Sequence, residues 1–158
     1  EELEAVGLPA YEISNHAAPG AESRHNLIYW RYGDYAGIGP GAHGRLTLDG
    51  EKLATQRVRS PEGWLSQVEA RGDGGEPHEP LDAETQFAEM TLMGLRLVEG
   101  VPEARIRQYR GCEIGAAFDP VRLDSLIRNA LLQRTGDRLH ATAAGRNRLD
   151  AVIAHLLS

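Results

Sequence analysis

The residues best suited to chemistry lie in Arg24-His25-Asn26-Leu27-Ile28-Tyr29-Trp30. In a helix, a His and a Tyr four residues apart share one face, and Trp30 lies beside them. Neutral imidazole is a good iron ligand, and flat aromatic rings pack well against a porphyrin. The chemistry therefore permits heme binding through His25, with Tyr29 and Trp30 beside it. Taken alone, a His beside Tyr and Trp is more often a packed, hydrogen-bonded cluster.

A second segment, Gly37-Ile38-Gly39-Pro40-Gly41-Ala42-His43-Gly44, places four glycines among eight residues. Such a backbone can approach a ligand closely and take positive φ. Successive exposed N–H groups suit an anion or an adenosyl or methionyl ligand, which would lie against Ile38, Gly39, Gly41, Ala42 and His43. A strand, not a helix, is expected next, so a dinucleotide-binding turn is disfavoured. A tight structural turn is the competing reading.

Composition narrows the function further. The chain has 158 residues and one cysteine, Cys112. One thiol makes no internal disulfide, which fits a reducing, cytoplasmic setting. Nor can it hold a four-iron cluster, which needs several thiolates. Residues 1–80 hold 7 basic and 13 acidic side chains, and residues 81–158 hold 10 of each. Neither half offers the positive face a nucleic-acid binder needs. No apolar run reaches the roughly 18 residues of a membrane span. The first residues are acidic, lack a starting Met and read as the middle of a helix rather than a signal peptide, as if the chain were cut there.

Several elements must position these segments. Tyr11–Ser14 and Tyr35–Ile38 are short strand candidates. Arg45–Leu48 and Lys52–Gln56 flank Asp49-Gly50, a strong hairpin signal. Ser60-Pro61 opens a helix carrying Trp64, Leu65 and Val68 on one face and ending near Gly72. The Gly/Pro-rich stretch 72–81 reads as a linker. Asp82 caps a longer helix expected to run to Gly100, followed by a short helix from Pro102 to Tyr109. Asp119-Pro120 starts another, with Val121, Leu123, Leu126, Ile127 and Ala130 inward. A hairpin turns at Thr135-Gly136-Asp137, and Thr142 caps a final helix bearing Leu149, Val152, Ile153, Leu156 and Leu157. Three helices, a small hairpin and a last helix make a winged-helix-like pattern. Asp124 dilutes the charge of the segment from Arg122 to Arg134, so a structural or protein-docking role is favoured over DNA binding.

Taken together and in order, Tyr-Glu-Ile-Ser-Asn (11–15), Arg-His-Asn-x-x-Tyr-Trp (24–30) and Gly-Ile-Gly-Pro-Gly-Ala-His (37–43) resemble the HemW family. These are radical-SAM heme chaperones related to oxygen-independent coproporphyrinogen III oxidase. The tail, with Arg138-Leu-His-Ala-Thr, Gly145-Arg and Leu149-Asp-Ala-Val, is similar to the carboxy-terminal helical domain of the same family. The resemblance implies an α/β part followed by an α part. The first, residues 1–71, would supply the last strand (11–15) and closing segment of a partial (β/α)6 radical-SAM barrel. Residues 72–81 would link it to a small helical winged-helix-like domain, 82–158.

It also implies roles. His25 would ligate heme iron, with Asn26, Tyr29 and Trp30 of the same motif completing the heme site, and the glycine loop would approach S-adenosyl-L-methionine. The cysteines for a 4Fe-4S cluster would lie upstream of this chain. Partners would be heme and a heme-acceptor protein, which could sit at a membrane, and a homodimer is open. Two rivals remain: coproporphyrinogen III oxidation in porphyrin biosynthesis, and a cofactor-free winged-helix adaptor for protein or DNA. His16 stands where the family usually has an aromatic residue and offers a second candidate ligand. His78, His140 and His155 have solvated or structural roles by default, while His43 is less easily dismissed.

Overall fold

The computed structural model describes residues 2–158. In chain order these form α1 (Glu2–Ala5), α2 (Arg24–Trp30), β1 (His43–Leu48), β2 (Glu51–Gln56), α3 (Pro61–Arg71), β3 (Glu79–Pro80), α4 (Ala83–Gly94) and β4 (Val101–Pro102). There follow α5 (Glu103–Arg110), α6 (Ile114–Ala117), α7 (Pro120–Arg128), β5 (Leu132–Thr135), β6 (Arg138–Ala141), α8 (Ala143–Arg146) and α9 (Leu149–Leu157). Two compact units emerge. One joins 2–32 with Phe87–Ser158, and the other is Gly33–Gln86. This division differs from the one expected from composition, because the first unit is discontinuous in sequence.

The smaller unit is organised by the expected hairpin. Asp49 (φ 52) and Gly50 (φ 86) both take positive φ, as a type I′ turn requires, and set Leu48 opposite Glu51. Glu79–Pro80 then pairs antiparallel with Leu53 and Ala54, giving the order β1-β2-β3. The expected linker is therefore partly strand. Arg57 also bridges Gly75, and Gly74 packs beneath the Trp64 ring. Ser60 caps α3 by accepting from Gly63 N at 3.0 Å, and Gly72 ends it in the left-handed conformation. Leu65 faces solvent rather than the Trp64 and Val68 side. Tyr35–Ile38 is not a strand; only Tyr35 pairs, with Arg45.

Lys52 is buried at 6% exposure, and its ammonium reaches Asp34 Oδ1 at 3.0 Å. Thr47 N and Oγ1 donate to the same carboxylate at 2.7 and 2.9 Å. Desolvation pushes the Asp34 pKa up, but the Thr47 N–H, the Lys52 ammonium and the Thr47 hydroxyl together hold it below the ordinary carboxylate value. A depressed folded-state pKa stabilises the fold above the unfolded value of about 3.9, and that contribution is lost as pH falls through the folded-state pKa. Asp34→Asn should therefore flatten the acid limb of the stability profile. Urea midpoints at about pH 3 and pH 6 check this: the gap between them narrows in the variant.

The larger unit carries the apolar core, in which Phe87, Leu95, Ile106, Ile114, Leu132 and Leu139 are almost wholly buried. Phe87 meets Phe118 at 5.3 Å between centroids. Asp119 caps α7 by accepting from Arg122 N at 3.0 Å. Leu123 and Leu126 point inward from that helix, whereas Val121 and Ala130 are exposed, contrary to the apolar pattern. The hairpin β5–β6 forms as expected, and β4 adds to it in the order β4-β6-β5.

Three expected elements differ. Helix α4 is capped by Asp82, which accepts from Thr85 N at 2.7 Å, but it ends at Gly94 rather than Gly100. There Arg96 and Leu97 donate to carbonyls only three residues back, and Leu97 pairs with Glu12 instead of extending the helix. Tyr11–Ser14 is a turn flanked by isolated bridges, Ala10 to His16 and Glu12 to Leu97, not a regular strand. Finally, Thr142 caps only the short α8. Arg148 (φ −133, ψ 28) leaves the helical region, and α9 starts afresh at Leu149.

Candidate functional site

Ser23 starts α2 by accepting from Asn26 N at 3.3 Å, so the heme-candidate residues do lie on a helix. His25 occupies its first turn. The imidazole is exposed, and no described side chain hydrogen-bonds it. Tyr29, one turn on, is half-buried and meets Trp30 edge to face at 4.7 Å. Asn26 turns the other way, its Nδ2 donating to Tyr11 Oη at 3.1 Å. The four residues are thus divided. His25 looks outward, while Asn26, Tyr29 and Trp30 fasten the helix to the body of its unit.

Further contacts hold the same helix. Arg31, just past its end, binds Glu99 through two donors, Nε at 2.8 Å and NH2 at 3.0 Å. Hydrogen bonding from Arg31 holds the Glu99 carboxyl below its ordinary pKa, against the effect of burial. Arg105 donates to the Arg31 and Tyr32 carbonyls at 2.5 and 3.3 Å. Tyr32 is fully buried and gives its hydroxyl to Glu89 at 2.8 Å. The Arg96 guanidinium lies 4.3 Å from the Trp30 ring centroid. Beneath it, Glu12 is 1% exposed.

Sequence reasoning missed Glu12, Arg96, Glu99 and Arg105 as parts of this frame. Only Glu12 carried a signal, as the charged centre of Tyr-Glu-Ile-Ser-Asn. Arg96 reads in the sequence merely as an interruption of an apolar run.

The glycine loop lies in the smaller unit. Gly39 and Gly41 have φ of 96 and 71, and Ile38 is 87% exposed. The expected row of free N–H groups is shortened, because Gly41 N donates to Val58 O and Ala42 N to Gly39 O. Gly44 is needed for packing, since a Cβ there would meet Thr55 Oγ1 at 2.5 Å and Tyr35 O at 2.8 Å. Ile38 and Gly39, with Trp64, Val68, Arg57 and Gly74, border a cleft of about 210 Å³. Gly41, Ala42 and His43 do not line it; His43 opens β1, opposite Gln56, and is exposed.

Of the other histidines, His16 is exposed on the turn with Ala10. His140 Nε2 lies 2.9 Å from Thr135 Oγ1 across the hairpin, a structural role. Among the described residues no group of three or more His, Cys, Asp or Glu side chains converges as a metal site, and none forms a helix long and apolar enough to cross a membrane.

Residues 81–147 match the family model of the HemN C-terminal domain. Over 160 residues the chain is 35% identical to the heme chaperone HemW of Escherichia coli (strain K12), covering 99% of this chain and 40% of that protein. It is 36% identical over 155 residues to the heme chaperone HemW of Mycobacterium tuberculosis (strain ATCC 25618 / H37Rv), covering 98% and 36%. The chain is HemW-like over nearly its whole length. Coproporphyrinogen III oxidase (HemN) from E. coli, a radical SAM enzyme, has the same fold over 98% of this chain and 38% of its own, with a TM-score of 0.68 at 16% identity. This HemW-type chain spans about two fifths of the length of the HemW relatives it matches. Its single thiol, Cys112, does not fit a four-iron cluster, which takes several thiolates.

Proposed function

We propose that this chain supplies the heme-holding part of a heme chaperone, with His25 as the iron ligand and Tyr29 and Trp30 as aromatic neighbours of the macrocycle. One observation carries the reading: the His25 ring is exposed and, among the described residues, takes no hydrogen bond, on a helix whose other side is fixed by charge and packing. A histidine recruited for packing would be expected to spend a ring nitrogen on a neighbour, as His140 does. Both HemW relatives are named heme chaperones, which supports the same reading.

In a longer protein the glycine loop would meet S-adenosyl-L-methionine through Ile38 and Gly39, the two loop residues whose surfaces reach the cleft. Segment 11–15 would close the edge of the partial barrel. Helices α5 to α7 with the β5–β6 hairpin and α8–α9 support a winged-helix-like domain. Its balanced charge favours docking of a heme-acceptor protein over nucleic acid. The setting proposed is the cytoplasm.

The test is a heme titration of the purified chain followed in the Soret region. Losing an iron ligand should cost at least the roughly tenfold that losing an outer-shell partner costs. His25→Ala should therefore bind heme at least about tenfold more weakly with an altered Soret band, while His16→Ala should match the parent. Superimposable titrations of the parent and His25→Ala would remove the assignment.

A further inference from the structure

Helix α2 has seven residues, too few to hold its own shape or direction, so its orientation comes from side-chain contacts. Trp30 supplies one of these from the end opposite His25. Its ring is faced by the Arg96 guanidinium, and Arg96 is itself faced by Glu12, with Arg96 NH2 3.6 Å from Glu12 Oε2.

Glu12 divides its two oxygens between two tasks. Oε1 accepts from Ser14 N at 2.8 Å and Asn15 Nδ2 at 2.5 Å and so closes the turn 11–15. Oε2 is buried and, like the buried Arg96 Nε, has no hydrogen-bond partner among the described residues. Such a pair is a poor choice for stability alone. Burying the Glu12 carboxylate against a half-buried guanidinium costs free energy that a loose contact without hydrogen bonds repays badly, and apolar side chains of similar volume would serve as well. What apolar side chains would not provide is a flat cation pressed on one face of an indole, which resists rotation of that ring.

We infer that Glu12 and Arg96 are positioning residues for the heme ligand: clamped against Trp30, they fix the rotation of α2 and hence the direction in which the His25 imidazole leaves the surface. This rests on the reading of His25 as the iron ligand. The pair touches neither iron nor porphyrin and acts only through α2.

The experiment is a double-mutant cycle on heme affinity, read by Soret titration and by the EPR signal of the ferric complex. Its variants are His25→Ala, Arg96→Lys, the neutral double variant Glu12→Gln/Arg96→Met, and the last combined with His25→Ala. The neutral pair avoids stranding a charge, and Arg96→Lys keeps the charge while losing the planar face, so the cycle can be read if either one folds. With His25 present, each Arg96 change should weaken heme binding about tenfold and shift the EPR signal. With His25 already removed, the same change should add nothing. Simple addition of the two costs, or heme affinity and EPR identical to the parent in the Arg96 variants, would overturn the positioning role. A His25→Ala protein that binds heme like the parent would instead overturn the ligand assignment itself, and the two failures are told apart by the first arm alone.

Discussion

Arg96→Met on its own should lower the stability of the larger unit by about 3 kcal/mol, because it leaves the Glu12 carboxylate buried without its counter-charge. The loss is not that of a salt bridge as such. At 3.6 Å and without hydrogen bonds the pair contributes little net stability, but removing one partner leaves the whole desolvation cost of the other. The neutral combination Glu12→Gln/Arg96→Met should therefore recover much of the deficit, since a glutamine can still accept from Ser14 N through one oxygen. Urea midpoints with a shared slope decide the matter. If the single and double variants unfold at the same denaturant concentration, the charges are not coupled.

Gly145→Ala should cost about as much, near 3 kcal/mol, for a steric reason. Gly145 is buried in α8, where an added Cβ would land on the Leu131 carbonyl. That carbonyl cannot retreat cheaply. It already accepts from Thr142 N at 3.1 Å, while Thr142 Oγ1 donates to Ala130 O at 2.7 Å and accepts from Gly145 N at 3.0 Å. The clash is therefore with a fixed backbone rather than with a flexible side chain. Gly136→Ala gives the contrast: φ is +60 there but the space is open, so only backbone strain of about 1 kcal/mol is expected. Thermal or urea unfolding should rank the two in that order. A Gly145→Ala protein as stable as Gly136→Ala would show that α8 is free to shift.

Local chemistry was legible wherever it decides alone. Asp49-Gly50, the caps at Ser60, Asp82 and Asp119, and the hairpin at Gly136-Asp137 lie where short-range rules put them. The shared face of His25 and Tyr29 was legible only on the condition of a helix, which the structure supplies with Ser23 as its cap. Distant partners were not legible. Alternation at Tyr11–Ser14 suggested a short strand, yet the most deeply buried side chain there is Glu12, held by Arg96 from far along the chain. The apolar period after Gly94 suggested more helix, but Leu97 is claimed by the pairing with Glu12. Glycine and proline at 72–81 suggested a loose connection, although Gly74 is there to let Trp64 lie flat and Pro80 ends a strand. Periodicity reports which residues are apolar; it does not report which partner reaches them first.

The larger unit draws its two parts from opposite sides of Gly33–Gln86. During synthesis, then, the helix bearing His25 leaves the ribosome well before Arg96, Glu99 and Arg105, the residues that hold it. Seven residues without those neighbours have no lasting helical order. A nascent chain would expose an imidazole with no set direction, and ordered presentation of that ring must wait until translation has passed Arg105. On the proposed reading of His25, folding of the larger unit and presentation of the iron ligand would then be a single event, reached only once Arg105 has been made.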